Sequence, residues 1–362
     1  MITLSLSSRL SGGVLGLLVG DALGVPYEFH RPEHLPPRAE LEMVPPAGFL
    51  RAHRGVPTGT WSDDGAQALA LLDSLLARDG LALDDFAARL LAWFEEGRYT
   101  PDGRVFDVGV QTSRALRALR DGVSPEEAGP AGERDNGNGS LMRVLPLALF
   151  HRGSDAELCA LAERSCLPTH GHLRARVCCA LYCLWARHEL AGRPHAYARA
   201  AAELRALYRD DPARTEVLEG HVRPDDASPG GGSGYVVDTL RSARACLEEP
   251  SYEAAVKAAI ALGHDTDTTA CVVGGIAGVR WGGGGGGVAG VAGVAGVAGV
   301  AGVRGARRES RRECSKRSAG ARSSRPWSGA CSRCTGLRRP TDRRGRSAPA
   351  PRPDPRRGPR AA

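Results

Sequence analysis

Ser62-Asp63-Asp64-Gly65-Ala66-Gln67-Ala68-Leu69-Ala70-Leu71-Leu72-Asp73-Ser74-Leu75-Leu76 carries two signals at once. Leu69, Leu71, Leu72, Leu75 and Leu76 gather on one broad helical face, and they do not follow the alternation of a strand. Ahead of them, Asp63 and Asp64 put adjacent carboxylates at a helix start, more than an N-cap needs. The helical period continues outward. Phe86, Leu90, Leu91, Trp93 and Phe94 repeat it, as do Arg114–Leu119, Val177–Trp185 and the Ala-rich run Tyr197–Tyr208. Strand-like alternation is scarce. The pattern predicts an all-α fold, a large compact single helical domain rather than a simple four-helix bundle.

The 362 residues are not uniform. Residues 1–282 hold 29 Lys and Arg against 37 Asp and Glu, whereas residues 283–362 hold 19 against 4. The formal charge of +7 therefore sums an acidic body and a basic tail, and it gives no reason to expect nucleic-acid binding by the folded body. Six glycines, Gly282–Gly287, precede five Val-Ala-Gly units ending at Gly302, and an Arg/Pro/Ser-rich segment follows. The expected division is a helical domain at 1–281, a repeat at 282–303 and a basic disordered tail at 304–362. Such a triplet repeat running into that composition is what a shifted reading frame in GC-rich DNA would give.

Gly282–Val303 has 22 uncharged residues, but 11 are Gly, so low complexity is expected there and not a membrane span. The short apolar run Val14–Val19 is followed at once by Asp21 and does not read as a signal peptide, so cytoplasm is the expected location. Of ten cysteines, Cys178, Cys179 and Cys183 sit in an apolar helical pattern and read as buried thiols. Cys331-Ser332-Arg333-Cys334 lacks the second ligand pair of a zinc site.

Two further features frame the acidic stretch. Gly12, Gly16, Gly20 and Gly24 recur on one helix face and require a close approach by another backbone or a ligand. Residues 31–58 contain Pro32, Pro36, Pro37, Pro45, Pro46 and Pro57, a long loop that reads as a lid or as passive surface.

A second acidic stretch, Gly263-His264-Asp265-Thr266-Asp267-Thr268-Thr269, also precedes a small-residue apolar helix. Taken singly, each stretch reads as a helix cap. Together, four carboxylates in uncharged surroundings repel one another unless a cation joins them. The oxygen-only donor set suits Mg²⁺, Mn²⁺ or Ca²⁺ rather than zinc. Asn136-Gly137-Asn138-Gly139-Ser140-Leu141-Met142-Arg143 reads as an anion-binding loop at a helix start or as a generic turn with a cap. Asp107, among Phe106, Val108 and Gly109, reads as a general acid or base or as a capped buried Asp. In Thr169-His170-Gly171-His172, a ligand-contacting or hydrogen-bonding histidine is the commoner reading and a metal pair the rarer one.

In this order the elements resemble the ADP-ribosylglycohydrolase family, which includes the dinitrogenase reductase-activating glycohydrolases. The pieces are Gly20-Asp21-Ala22-Leu23-Gly24 with Glu28, Ser62-Asp63-Asp64, Asp107-Val108-Gly109, Asn138–Arg143, His170 and Gly263–Thr268, spread over residues 10–281. The resemblance implies an all-α fold with two Mg²⁺ (or Mn²⁺) ions held by Ser62, Asp63, Asp64, Asp265, Asp267 and Thr268. It implies substrate contacts from Glu28, Asn138, Gly139, Ser140, Met142, Arg143 and His170. Catalysis would fall to Asp63, Asp64, Asp107 and Asp265, with one of the acidic residues taking the proton of a water. The implied substrate is an ADP-ribosylated protein or a small ADP-ribose derivative. The alternatives are another ribosyl nucleotide on the same scaffold, and a non-catalytic ADP-ribose-binding or structural relative. Three departures stand out: Ser62 replaces the usual Thr, Gly65 replaces a common Thr, and the family's continuation past Trp281 gives way to repeat.

Overall fold

The computed structural model describes residues 4–284 and Val288. Most of the repeat and the whole basic tail, with the expectations attached to them, lie outside those residues. Among the described residues there are twelve α-helices: α1 Leu6–Gly24, α2 Asp63–Arg78, α3 Leu83–Glu96, α4 Val110–Arg120, α5 Leu145–Phe150, α6 Asp155–Cys166, α7 Leu173–Leu190, α8 Ala196–Tyr208, α9 Pro212–Glu216, α10 Val236–Cys246, α11 Tyr252–Ala261 and α12 Thr266–Trp281. A π-helical turn, Val217–Val222, follows α9. The one β pairing among them is an isolated antiparallel bridge between Gly137 and Tyr235. The all-α expectation holds.

Helix α7 is apolar all round because it is central: residues Val177 to Ala186 are buried without a break, and α5, α6, α8, α10 and α12 pack on it. Helix α2 lies further out. Leu71 and Leu75 are fully buried, whereas Leu76 at the edge of the leucine face is 54% exposed, so that face is narrower than its spacing suggests. Seven cysteines in the described residues are free, and all are buried as expected.

The glycine face of α1 meets α12. A Cβ at Gly12 would overlap the Gly278 carbonyl, one at Gly16 the Gly274 carbonyl, and one at Gly20 the Ala270 carbonyl. Gly274 and Gly278 reciprocate against Gly16 and Gly12. The face therefore serves close helix packing. Thr266 Oγ1 donates to the Gly24 carbonyl at 2.8 Å and ties the start of α12 to the end of α1, while Tyr252 Oη of α11 donates to the Gly16 carbonyl at 2.8 Å and ties α11 to the same face. Helix α1 is also long and apolar enough to cross a membrane by composition, but 78% of that window is buried inside the fold. The consequence for function is that the end of α1 and the start of α12 lie side by side.

The Pro-rich loop is folded back onto the body. Tyr27 Oη donates to the Glu42 carbonyl at 2.6 Å, and Lys257 Nζ donates to Glu42 Oε1 at 2.7 Å. The Phe49 ring packs 5.2 Å from that of Tyr27 and 4.8 Å from that of His30. This path carries His53 to Glu28.

Candidate metal centre and substrate cleft

Three helix starts and one helix end converge. At α2 the cap is Ser62, whose Oγ accepts from the Asp64 amide at 3.3 Å. Asp21, near the end of α1, completes the capping from another helix: its carboxylate accepts the Ser62 amide at 2.9 Å and the Gly65 amide at 2.8 Å. At α12 the N-cap residue Asp265 makes no side-chain cap bond and accepts instead from Asn138 Nδ2 at 2.8 Å. Capping of α2 thus falls to Ser62 and Asp21, and Asp265 does not cap α12; Asp267 accepts the Thr268 amide at 2.8 Å through Oδ1 only, so Asp64, Asp265 and the second oxygen of Asp267 have no capping task.

Their arrangement fits a hard cation. One carboxylate oxygen from each of Asp21, Asp64 and Asp267 lies within 4.8 Å of the other two, all three residues being buried. Glu28, Asp265 and Asp267 form a second such set, so Asp267 is shared. Asp64 Oδ2 and Asp267 Oδ2 are buried with no hydrogen-bond partner, a costly state for a charged oxygen. Among the described residues no Lys or Arg forms an ion pair with any of these carboxylates; the one partner within salt-bridge reach of the wider group is His53, 2.5 Å from Glu28 Oε2 and 4.0 Å from Asp107 Oδ1. Thr268 Oγ1 sits 3.3 Å from Asp64 Oδ1, adding a hydroxyl to the donor set. An oxygen-only donor set of this kind suits a hard divalent cation such as Mg²⁺, Mn²⁺ or Ca²⁺.

Protonation follows the same logic. Burial pushes Asp63, Asp64 and Asp267 well above the ordinary carboxylate range, and their neighbours' negative charge adds to it. Glu28 is pushed up to about 11 by burial and by Asp107, Asp265, Asp63 and Asp21. Asp21 rises to about 7 through burial, held back by its backbone donors, and Asp107 to about 6, again through burial. A bound cation would reverse this order and release protons.

Beside the cluster lies a cleft of about 600 Å³. Glu28, Asp63, Asp107, Asp265 and Thr268 line it together with Asn138, Gly139, Met142 and His170, Asn138 being bonded to Asp265. Asp107 reaches it from a left-handed bend (φ 57°) just before α4. Gly139 is required where it is, because a Cβ there would stand 2.7 Å from His170 Cε1. His170 is buried, bonded through Nδ1 to Thr169 Oγ1 at 2.7 Å, and burial with the Arg143 charge pushes its pKa well down, so it is a neutral hydrogen-bonding group. His172 is elsewhere: its Nδ1 accepts the Arg174 amide and caps α7.

Two residues expected on the substrate are not on the cleft wall. Ser140 is buried with its Oγ 3.5 Å from Cys179 Sγ, and Arg143 is buried beneath α2. The turn that exposes Asn138 and Gly139 points the next polar side chains inward. Sequence reasoning also passed over His53, which has no periodic or motif signal, the capping task of Asp21, and Gln67. Phe29 (70% exposed, φ 60°), Gln111 and His264 line the cleft as well.

A sequence model of the ADP-ribosylglycohydrolase family matches residues 3–285. The chain is 31% identical over 280 residues to ADP-ribosylarginine hydrolase Tri1 of Pseudomonas putida (strain GB-1), covering 76% of this chain and 71% of that protein. It is 28% identical over 281 residues to the ADP-ribosyl-[dinitrogen reductase] glycohydrolase of Rhodospirillum rubrum, covering 77% of this chain and 87% of that one. A solved structure described as an ADP-ribosylglycohydrolase-related protein complex superposes with a TM-score of 0.57 at 32% identity, over 76% of this chain and 88% of its own.

Proposed function

We propose, for a chain that belongs to the ADP-ribosylglycohydrolase family, that it hydrolyses the bond between ADP-ribose and an arginine side chain using two Mg²⁺ or Mn²⁺ ions. Hydrolysis of ADP-ribosyl linkages comes with the family. The acceptor, the metal and the residue roles are the proposal. The arginine acceptor rests on the name of the Pseudomonas putida relative. The observation that carries the metal is the pair of buried oxygens, Asp64 Oδ2 and Asp267 Oδ2, with no hydrogen-bond partner and no Lys or Arg in ion-pair reach among the described residues.

Ser62, Asp63, Asp64, Asp265, Asp267 and Thr268 would hold the ions, with Asp21 and Glu28 completing the two triads and Asp21 also fixing the start of α2. When bound, such ions would polarise a water and grip the ribose hydroxyls. Asn138, Gly139, Met142 and His170, which line the same cleft, would position the substrate. Asp107, held near the cluster with its carboxyl raised to about 6, is suited to take the proton of the attacking water. The anionic wall favours the positive charge that develops on the ribose as the bond to the leaving guanidine breaks.

The test is release of ADP-ribose from ADP-ribosylarginine by protein stripped of metal and then resupplied. Turnover should require Mg²⁺ or Mn²⁺ and disappear in EDTA. Undiminished turnover in EDTA would refute the metal, and turnover of other ADP-ribosyl derivatives without ADP-ribosylarginine would refute the acceptor.

A further inference from the structure

We propose that Gln67 and Arg143 form a buried positioning pair that presents Asp63 to the metal centre, and that Arg143 touches neither substrate nor metal. The inference rests on the metal reading above and assigns work to two residues behind it.

Gln67 lies one helical turn after Asp63 on α2 and is fully buried. Its Nε2 donates to Asp63 Oδ2 at 2.8 Å, and its Oε1 accepts from an Arg143 guanidinium nitrogen at 2.7 Å. An arginine has only donors. It therefore compels the amide oxygen of Gln67 to face it, which turns the amide N–H₂ toward Asp63. The amide can take only one of its two orientations, and Asp63 Oδ2 is engaged from behind. The Asp63 carboxylate is thereby held in one rotamer with its other oxygen available to the cleft it lines.

Arg143 is an unusual residue to bury. It is 1% exposed, and among the described residues no carboxylate lies within ion-pair distance of it. It rests over the Phe86 ring at 5.2 Å and makes a weak bond to the Ser165 carbonyl at 3.4 Å. Burying an unpaired guanidinium is costly unless a negative field compensates for it. The acidic cluster, reached through Gln67, supplies that field. In return the guanidinium fixes the amide and places one positive charge behind carboxylates that otherwise only repel one another. Hydrogen-bonded supports of this kind orient metal ligands and tune their affinity.

Calorimetric titration of Mn²⁺ into metal-free protein tests the pair, with thermal melts to confirm folding and ADP-ribose titration in EDTA as the contrasting readout. Gln67→Met keeps length and apolar bulk but removes both bonds. Its Mn²⁺ affinity should fall about tenfold or more, while ADP-ribose affinity in EDTA stays within about twofold. Arg143→Met should lose a similar amount, the double variant should be no worse than either, and Arg143→Lys should recover part of the loss. If Arg143→Met does not fold, Gln67→Met decides alone. Unchanged Mn²⁺ affinity in folded Gln67→Met would overturn the pairing. Arg143→Lys that weakens ADP-ribose in EDTA yet spares Mn²⁺ would make Arg143 a substrate ligand. If the unaltered protein binds no Mn²⁺, the metal reading fails and the positioning role falls with it; if it binds and Gln67→Met binds equally, only the pairing fails.

Discussion

Asp64 and Asp267 stand on the first turns of two different helices, about two hundred residues apart in sequence, with carboxylate oxygens within 4.8 Å of one another. Each also keeps a buried oxygen without a partner. In the metal-free protein both carboxyls are driven to hold protons, at a cost in stability, and in the proposed metal-bound state both ionise. Asp267→Asn should therefore act in opposite directions on the two states. Steady-state kinetics should show kcat/KM reduced by at least about a thousandfold. Melting in EDTA should show a gain of about 1 kcal/mol or more, since one ionisable member of the cluster is gone. Lower stability in EDTA would contradict the account of a carboxyl that is costly to bury.

The pH dependence has a definite sign. Asp107 and Asp21 are raised to about 6 and about 7 from an ordinary 3.8, so the folded state binds protons more tightly than the unfolded chain. Their stabilising contribution is present in full below the ordinary carboxylate range and is lost as pH rises through 6 and 7. Metal binding, which displaces those protons, should do the reverse. The increase in Tm on adding Mn²⁺ should grow from about pH 5 to about pH 8. Paired melts in EDTA and in excess Mn²⁺ measure it, and an increment independent of pH would be inconsistent with carboxylate ligands.

Gly20→Ala tests the helix contact that builds the site. Helix propensity alone favours Ala by about 1 kcal/mol. The added methyl, however, would overlap the Ala270 carbonyl of α12. Overpacking against backbone should win, with a net loss of about 2 kcal/mol in urea unfolding. Mn²⁺ affinity should fall too, because α12 cannot move away without carrying Asp267 with it. A stabilised variant would show that the two helices can separate freely.

His53→Ala tests the loop. His53 Nε2 lies 2.5 Å from Glu28 Oε2, and burial lowers its pKa, so it is a neutral partner at physiological pH. Losing that bond should reduce kcat/KM about tenfold with little change in Tm, since the loop is anchored independently through Glu42 and Phe49. A loss of Tm without a kinetic effect would make the loop purely structural.

Much of the molecule was legible before any coordinates. The period of Leu69–Leu75, the apolar run of α7 and the glycine spacing of α1 are local, and local patterns report helices faithfully. The acidic stretches were legible as a charge problem but not as a solution. The reason is Asp21: it caps α2 from 41 positions upstream, and no window around Ser62 contains it. Likewise, the inward turn of Ser140 and Arg143 depends on which elements lie behind the Asn138 loop, and His53 reaches Glu28 only because Phe49 and Glu42 tie the loop down. Side chains placed by contacts distant in sequence leave no periodic trace.

The close packing of α1 on α12 also sets an order of events during synthesis. Asp21, Asp63 and Asp64 leave the ribosome early, whereas Asp265 and Asp267 emerge only after some two hundred further residues. Closing so long a loop is entropically expensive and belongs to the slow end of folding. Until α12 docks, the early carboxylates can only repel one another. On the metal reading proposed above, the centre would be completed only late in folding. A chain released before α12 is made would keep Asp63 and Asp64 but lack the proposed ligands Asp265, Asp267 and Thr268.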